Sequence, residues 1–194
     1  MRTKISPASA KRAMRELHAA DMTATQQTRD VPYSASDMFS LVAGVEQYPD
    51  FLPWCAGARI RKREQIGTNE VLTADLIVAY KVFREQFTSR VSLDQAERLI
   101  DVHYVQGPFK YLSNKWQFEA LPEGGCRIHF FIDFEFKSLT FQKLMNGVFS
   151  KAFTRMMQAF IDEAGKRFTP GKPLVPPAEL EPNKGDDGAQ GDKA

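Results

Sequence analysis

The residues able to do acid–base, metal or nucleophilic chemistry are few and scattered. The 194-residue chain has three histidines and two cysteines. His18 lies in an N-terminal stretch without an apolar pattern. His103 and His129 fall on the polar side of alternating segments, as solvated strand residues do. Asp75 shares its side with Thr73 and Ile77, opposite an apolar set, and is expected outside as well. Cys55 and Cys126 fit no CxxC or zinc spacing and read as reduced, mostly buried thiols of a reducing compartment. There is no GxSxG, HExxH, Walker or dinucleotide fingerprint. On the apolar sides the polar groups are Glu85, the hydroxyls of Tyr80 and Tyr104, Asn114 and the indole nitrogen of Trp116. These orient a polar head group by hydrogen bonds but make a poor general acid–base set. The residues therefore point to binding, with no catalytic residue, catalytic cofactor or metal expected.

Two kinds of element must position them. From 58 to 136 the chain reads as strand after strand, with turn signals at Gly67-Thr68-Asn69, Asp94-Gln95-Ala96-Glu97, Gly107-Pro108 and Pro122-Glu123-Gly124-Gly125. Leu72, Ala74, Leu76, Val78 and Tyr80 share one face. Phe87, Ser89 and Val91 alternate with Gln86, Thr88 and Arg90, and Leu112, Asn114, Trp116 and Phe118 with Lys115, Gln117 and Glu119. Ile128, Phe130, Ile132, Phe134 and Phe136 close the series. Half-buried alternation of this kind predicts an antiparallel meander with one wet face. A first strand over 26–33 and a helix capped by Ser34 or Ser36 and ended at Gly44 precede it, the helix burying Met38, Phe39 and Val42.

The second element is a long helix over 138–166, with apolar residues at Phe141, Met145, Val148, Phe149, Phe153, Met156, Met157, Phe160, Ile161 and Ala164. Gln142, Lys151, Arg155, Gln158 and Asp162 form its wet face. Lys166 and Arg167 suit its C-terminal dipole, and Thr169-Pro170 stops it. At 1.5 Å per residue it would be about 40 Å long. A curved sheet wrapped about this helix satisfies both apolar faces. Periodicity alone reads the enclosed space as a plain hydrophobic core. A broad, Phe- and Met-rich inner face with few placed polar groups also describes a ligand cavity.

The ends differ from the middle. All aromatics (15 Phe, 5 Tyr and 2 Trp) lie between Met22 and Phe168. Residues 1–21 hold five basic and two acidic residues, and read as a disordered arm, a matrix-targeting presequence, or a stretch ahead of a start at Met22. Residues 169–194 hold five Pro, four Gly and eight charges and are expected to be disordered. Domain limits of 1–21, 22–168 and 169–194 follow. No apolar run approaches the roughly 18 residues of a membrane span. The net charge of +2 is too small for nucleic-acid binding by bulk electrostatics. A contiguous basic face is still available from Arg59, Arg61, Lys62, Arg63, Arg84 and Arg90, read as a set on the outer side of the strands.

Between the helix and the strands lies Tyr48-Pro49-Asp50-Phe51-Leu52-Pro53-Trp54-Cys55, where the two prolines argue against regular structure and the aromatics against a free loop. With Val31-Pro32-Tyr33-Ser34, Gly107-Pro108-Phe109, Leu112 with Trp116, and the 130–136 strand, this string resembles the coenzyme Q-binding protein family of the START-like, polyketide cyclase/dehydrase-like superfamily. The resemblance covers about residues 26–168. It implies an α+β helix-grip fold, β-α-β6-α, and non-catalytic binding of ubiquinone or a related isoprenoid lipid, in support of respiration or quinone biosynthesis. Bacterial relatives called ribosome-association toxins imply the alternative, contact with ribosomal subunits, and a cyclase or dehydrase activity is a third. The location implied is cytoplasmic and peripheral at the respiratory membrane, or the mitochondrial matrix if residues 1–21 are a presequence. Residues expected to line the lipid cavity are Tyr48, Phe51, Leu52, Trp54, Leu76, Tyr80, Phe87, Tyr104, Phe109, Leu112, Trp116, Phe130, Phe134, Phe149, Phe153 and Met156. Among them Phe51, Leu52 and Trp54, with Phe109 and Leu112, form either its mouth or a plug at the open end of the sheet.

Overall fold

The computed structural model describes residues 24–80, 83–139, 142 and 149–171, and of 83, 149 and 150 the backbone alone. Strand β1 (Thr25–Val31) leads to helix α1 (Ala35–Ala43), a 3-10 turn (Val45–Gln47) and a short helix α2 (Tyr48–Phe51). Six strands follow: β2 (Cys55–Ile66), β3 (Asn69–Tyr80), β4 (Phe83–Asp94), β5 (Leu99–Gln106), β6 (Phe109–Ala120) and β7 (Cys126–Phe136). Helix α3 (Phe149–Arg167) ends the order. The sheet runs β1-β7-β6-β5-β4-β3-β2, antiparallel throughout, so the meander β2–β7 is capped at β7 by the first strand. Arg127 grips Asp30 there with two bonds of 2.8 Å, pairing register neighbours across β1 and β7.

Local chemistry explains the elements. Ser34 caps α1: its Oγ accepts from the Asp37 N–H at 3.1 Å, and Gly44 closes the helix by donating its N–H to the Ser40 carbonyl. Pro49 does not prevent helix in 48–51, contrary to the expectation above. It sits in the first turn of α2, where its missing N–H has no intrahelical partner to lose. Gly107 sits at φ 140° with no room for a side chain, since a Cβ there would meet Phe87 Cβ at 2.6 Å. That close approach lets the β5–β6 turn fold over β4.

The core lies between the sheet and α3. Phe153, Met157, Phe160 and Ala164 of α3 are buried against Ile100, Trp116, Phe118, Ile128 and Phe130 of the sheet. Helix α1 adds Met38, Phe39, Leu41 and Val42 at one end. Leu139 and Gln142 are helical, and the Gln142 N–H donates to the Ser138 carbonyl at 2.9 Å. The expected stripe positions Phe141, Met145 and Val148, and the side chain of Phe149, lie outside the described residues. Gln142 corrects the wet-face expectation: it is buried, and its Oε1 accepts from the Phe136 N–H at 2.9 Å. Residues 1–21 and 172–194 also lie outside. The described chain continues past the core to Gly171, whose N–H donates to the Pro32 carbonyl.

Asp75 corrects another expectation. It stands on the outer side of β3 as its parity requires, yet only 7% of it is exposed. A β-bulge in β2 between Ile60 and Lys62 brings Arg61 over it, and Arg61 Nε donates to Oδ2 at 2.5 Å. Thr88 Oγ1 donates to Oδ1 at 2.7 Å and Gln86 Nε2 to Oδ2 at 3.2 Å. Both carboxylate oxygens are thus satisfied across three strands. We expect Asp75→Ala to cost about 2 kcal/mol in urea unfolding, because it strands the Thr88 hydroxyl and the guanidinium together. A loss below about 0.5 kcal/mol would show that the cluster is merely a surface arrangement.

Candidate functional site

Two adjoining hollows lie between the inner face of the sheet and α3. The outer chamber, about 270 Å³, is bounded by Trp54, Val78, Tyr80, Pro108, Phe109, Phe134, Phe136, Ala152 and Phe153 among others. The inner chamber, about 160 Å³, is bounded by Tyr48, Ser89, Val102, Asn114, Trp116, Phe130 and Phe160 among others. Leu52, Leu76, Phe87, Leu112, Ile132 and Met156 border both. The chambers follow from side-chain size along each strand. On β3 the inward series passes from Leu72 and Ala74, which are fully buried, to Leu76 and Val78, which face space.

Of the residues expected at the cavity, Leu52, Leu76, Phe87, Leu112 and Met156 border both chambers. Trp54, Tyr80, Phe109, Phe134 and Phe153 border the outer one, and Tyr48, Trp116 and Phe130 the inner one. Two do not reach either. Phe51 turns onto α3, 5.3 Å from the Phe160 ring at 75°, with the Arg167 guanidinium 5.6 Å over its face. It therefore acts as a plug beneath the helix, where cation–π and edge contacts hold it. Tyr104 stacks edge-on against Phe109 at 5.8 Å, one layer behind the cavity wall. Ser89, Ile132 and Cys55 also border the chambers and were not singled out from the sequence. For Ser89 and Ile132 the signal was their inward parity.

Trp54 is held at φ 68°, in the left-handed region that a bulky residue seldom adopts. Its carbonyl accepts from the Ala79 N–H at 2.8 Å, and its ring meets Tyr80 edge-on at 5.4 Å. The indole is thereby pinned across the end of β3 at the rim of the outer chamber. Such outliers cost about 1–3 kcal/mol and persist where surrounding contacts over-determine them.

The polar groups on the walls are mostly spoken for. Trp116 Nε1 donates to Asn114 Oδ1 at 2.9 Å, and Asn114 Nδ2 donates to the Phe131 carbonyl at 3.0 Å. The Tyr48 hydroxyl donates to the Val42 carbonyl, and burial pushes its ionisation upward. Glu85, which is exposed, is the one charged residue bordering either chamber among the described residues. Among the described residues no group of three His, Cys, Asp or Glu is placed to hold a metal ion. His129 lies outside, 3.2 Å from Glu119, and His103 is exposed. The walls are almost wholly apolar, and among the described residues they bring no acid and base together.

The thiols separate by burial. Burial pushes Cys126 up to about 12, with the Asp30 and Asp37 carboxylates adding to it. Burial also raises Cys55, partly offset by a hydrogen bond from the Gly57 backbone. In native protein at neutral pH a maleimide is expected to label Cys55 slowly and Cys126 only after unfolding. A ligand in the outer chamber should slow Cys55 further, and peptide mass spectrometry reads both. Native labelling of Cys126 at the Cys55 rate would contradict this.

The expected basic face is broken up. Arg61 is paired with Asp75, and Lys62 with Glu64 at 2.8 Å. The bulge after Ile60 reverses the parity of Arg63, which lies opposite Leu72 and pairs with Glu70 at 2.8 Å and Glu46 at 3.8 Å. Arg63 thus leaves the outer set. Arg59, Arg84 and Arg90 remain on it, without an ion pair among the described residues.

A family model described as "Polyketide cyclase / dehydrase and lipid transport" matches residues 31–161. The "Ribosome association toxin RatA" of Rickettsia prowazekii is 36% identical over 143 residues, covering 72% of this chain and 94% of that protein. The "Coenzyme Q-binding protein COQ10, mitochondrial" of Drosophila melanogaster is 33% identical over 144 residues, covering 72% of this chain and 57% of that protein. Among solved structures, a START superfamily protein from Mycobacterium smegmatis superimposes with a TM-score of 0.61 at 20% identity, over 75% of this chain and 99% of that one. The last likeness concerns the fold alone, and it agrees with the expected α+β helix-grip arrangement of a curved antiparallel sheet and C-terminal helix.

Proposed function

The chain belongs to the polyketide cyclase / dehydrase and lipid transport family, and from that premise we propose that it binds ubiquinone or a related isoprenoid lipid without transforming it. The observation that carries this reading is the pair of adjoining apolar chambers, about 270 and 160 Å³, beneath α3. Their sum falls within the range of small-molecule pockets, and their walls lack an acid–base pair. A long polyprenyl chain exceeds this space, so in this reading its far end leaves by way of the outer chamber, which Trp54 and Pro108 border. Among the described residues no helix is long and apolar enough to cross a membrane. In this reading the protein meets its ligand at a membrane surface or in a partner's grip, with Trp54 near the interface. Protein purified from quinone-rich cells should release an isoprenoid quinone on solvent extraction, detected by mass spectrometry. Recovery of phospholipid fragments alone, or of nothing, would remove the quinone.

A second reading is contact with the ribosome. Arg59, Arg84 and Arg90 favour it by sharing the outer face of the sheet, as does the similarity to the Rickettsia ribosome association toxin. Phosphate contacts made by three cations give a shallow salt dependence and weak binding. Cosedimentation with ribosomal subunits at rising salt is expected to be lost below physiological ionic strength. Persistence above it would favour the ribosomal role over the lipid one.

A further inference from the structure

The inner chamber contains one polar group with nothing to bond. Ser89 lies on the inner face of β4, a central strand, with 1% of its surface exposed, and its Oγ has no hydrogen-bond partner. It borders the inner chamber. A buried hydroxyl without a partner is costly, and a smaller or apolar residue would avoid that cost. The neighbouring polar pair, Asn114 and Trp116, is closed on itself and on the Phe131 carbonyl. Among the described residues bordering the inner chamber none carries a charge. What the chamber offers is therefore a single hydroxyl in an uncharged aromatic enclosure. Its occupant should be neutral and flat, with one oxygen able to accept a hydrogen bond.

Size separates the two chambers as well. An apolar cavity of about 150 Å³ takes one unsubstituted benzene ring, so the inner chamber, at about 160 Å³, has room for the carbonyl edge of a substituted quinone ring, the rest of the ring lying toward the residues shared with the outer chamber. The outer chamber is larger, and Trp54 and the exposed Glu85 border it. Leu112 and Met156 border both, so the two spaces adjoin at these side chains.

We propose that the ligand enters ring first: a neutral ring carbonyl accepts a hydrogen bond from Ser89 Oγ in the inner chamber, and the isoprenoid chain fills the outer chamber and leaves at the rim. This rests on the lipid-binding reading above and adds the orientation and the recognising residue. Ser89 is a positioning residue, and no bond in the ligand is made or broken.

The test uses the full chain with two probes, a short-chain ubiquinone and the same isoprenoid chain lacking the ring. Binding is measured by calorimetry. Quenching of Trp116 by the quinone is followed separately in Trp54→Phe, which leaves one indole, at the inner chamber. Ring-first binding is expected to quench Trp116 strongly. Ser89→Ala should weaken the quinone about tenfold while leaving the ring-less chain unchanged. The same variant should melt no lower than the parent when empty, since it removes an unpaired buried hydroxyl. Quinone binding without quenching of Trp116, or an equal loss for both probes in Ser89→Ala, would overturn the orientation and leave the lipid-binding reading standing. Failure of the parent chain to bind either probe would overturn both.

Discussion

Phe160→Ala is expected to lower the free energy of unfolding by about 3–5 kcal/mol, the usual cost of deleting a fully buried ring. Phe160 is 1% exposed and sits where α3, α2 and β6 meet. Its ring lies 5.4 Å from Tyr48 and 5.3 Å from both Phe51 and Trp116, in edge-on or steeply tilted contacts. Removing it separates α3 from α2 and from β6 at one stroke, and the polar partners of Tyr48 and Trp116 lose the packing that holds them. The surroundings cannot collapse easily, because Trp116 is also fixed by Asn114 and by Phe130 at 4.4 Å. Chemical denaturation with the slope held comparable to the parent reads the change directly. A loss under about 1.5 kcal/mol would show that α3 is held by other contacts.

Leu112→Trp is expected to abolish uptake of the quinone while the protein stays folded. Leu112 borders both chambers, on β6 opposite Phe134. An indole there extends into the space on either side and competes with any occupant for the same volume. Overpacking a filled core costs about 1–3 kcal/mol, but here the added atoms meet existing space, so the stability change should fall at or below the lower end of that range. A tenfold or greater loss of affinity corresponds to about 1.4 kcal/mol or more. Calorimetry with the short-chain quinone and a thermal melt of the same sample separate blocked uptake from unfolding. Unchanged uptake in a folded Leu112→Trp protein would move the ligand site away from these chambers.

These two variants differ in how visible their sites were beforehand. Phe160 belongs to the α3 stripe, and a stripe at 3.6-residue spacing states burial without reference to any other element. Leu112 was equally plain as an inward strand residue. That it adjoins empty space instead of packed atoms depends on what faces it from β3, β4 and α3. Adjacent residues show the same limit: Phe51 plugs the underside of α3 while Leu52 borders both chambers. Which of the two turned inward depends on the helical turn that Pro49 starts, and the proline had argued against any regular structure there. Arg63 and Asp75 were assigned sides by strict alternation. The bulge at Ile60–Lys62 inserts one residue, swinging Arg63 to the inner side and laying Arg61 over Asp75.

What the sequence by itself determined was the order of the strands and of helices α1 and α3, the inward face of β3 to β7 and the apolar stripe of the described part of α3. Each of these follows from a period of 2 or 3.6 residues and from local caps such as Ser34. The tertiary structure alone decided that the enclosed space is two chambers beside a packed core, that Ser89 has no partner within it, and that the outer cations are partly neutralised. Those outcomes depend on volumes and distances summed over side chains from strands far apart in the chain. Periodicity records which way a residue points and carries no information about what it meets there.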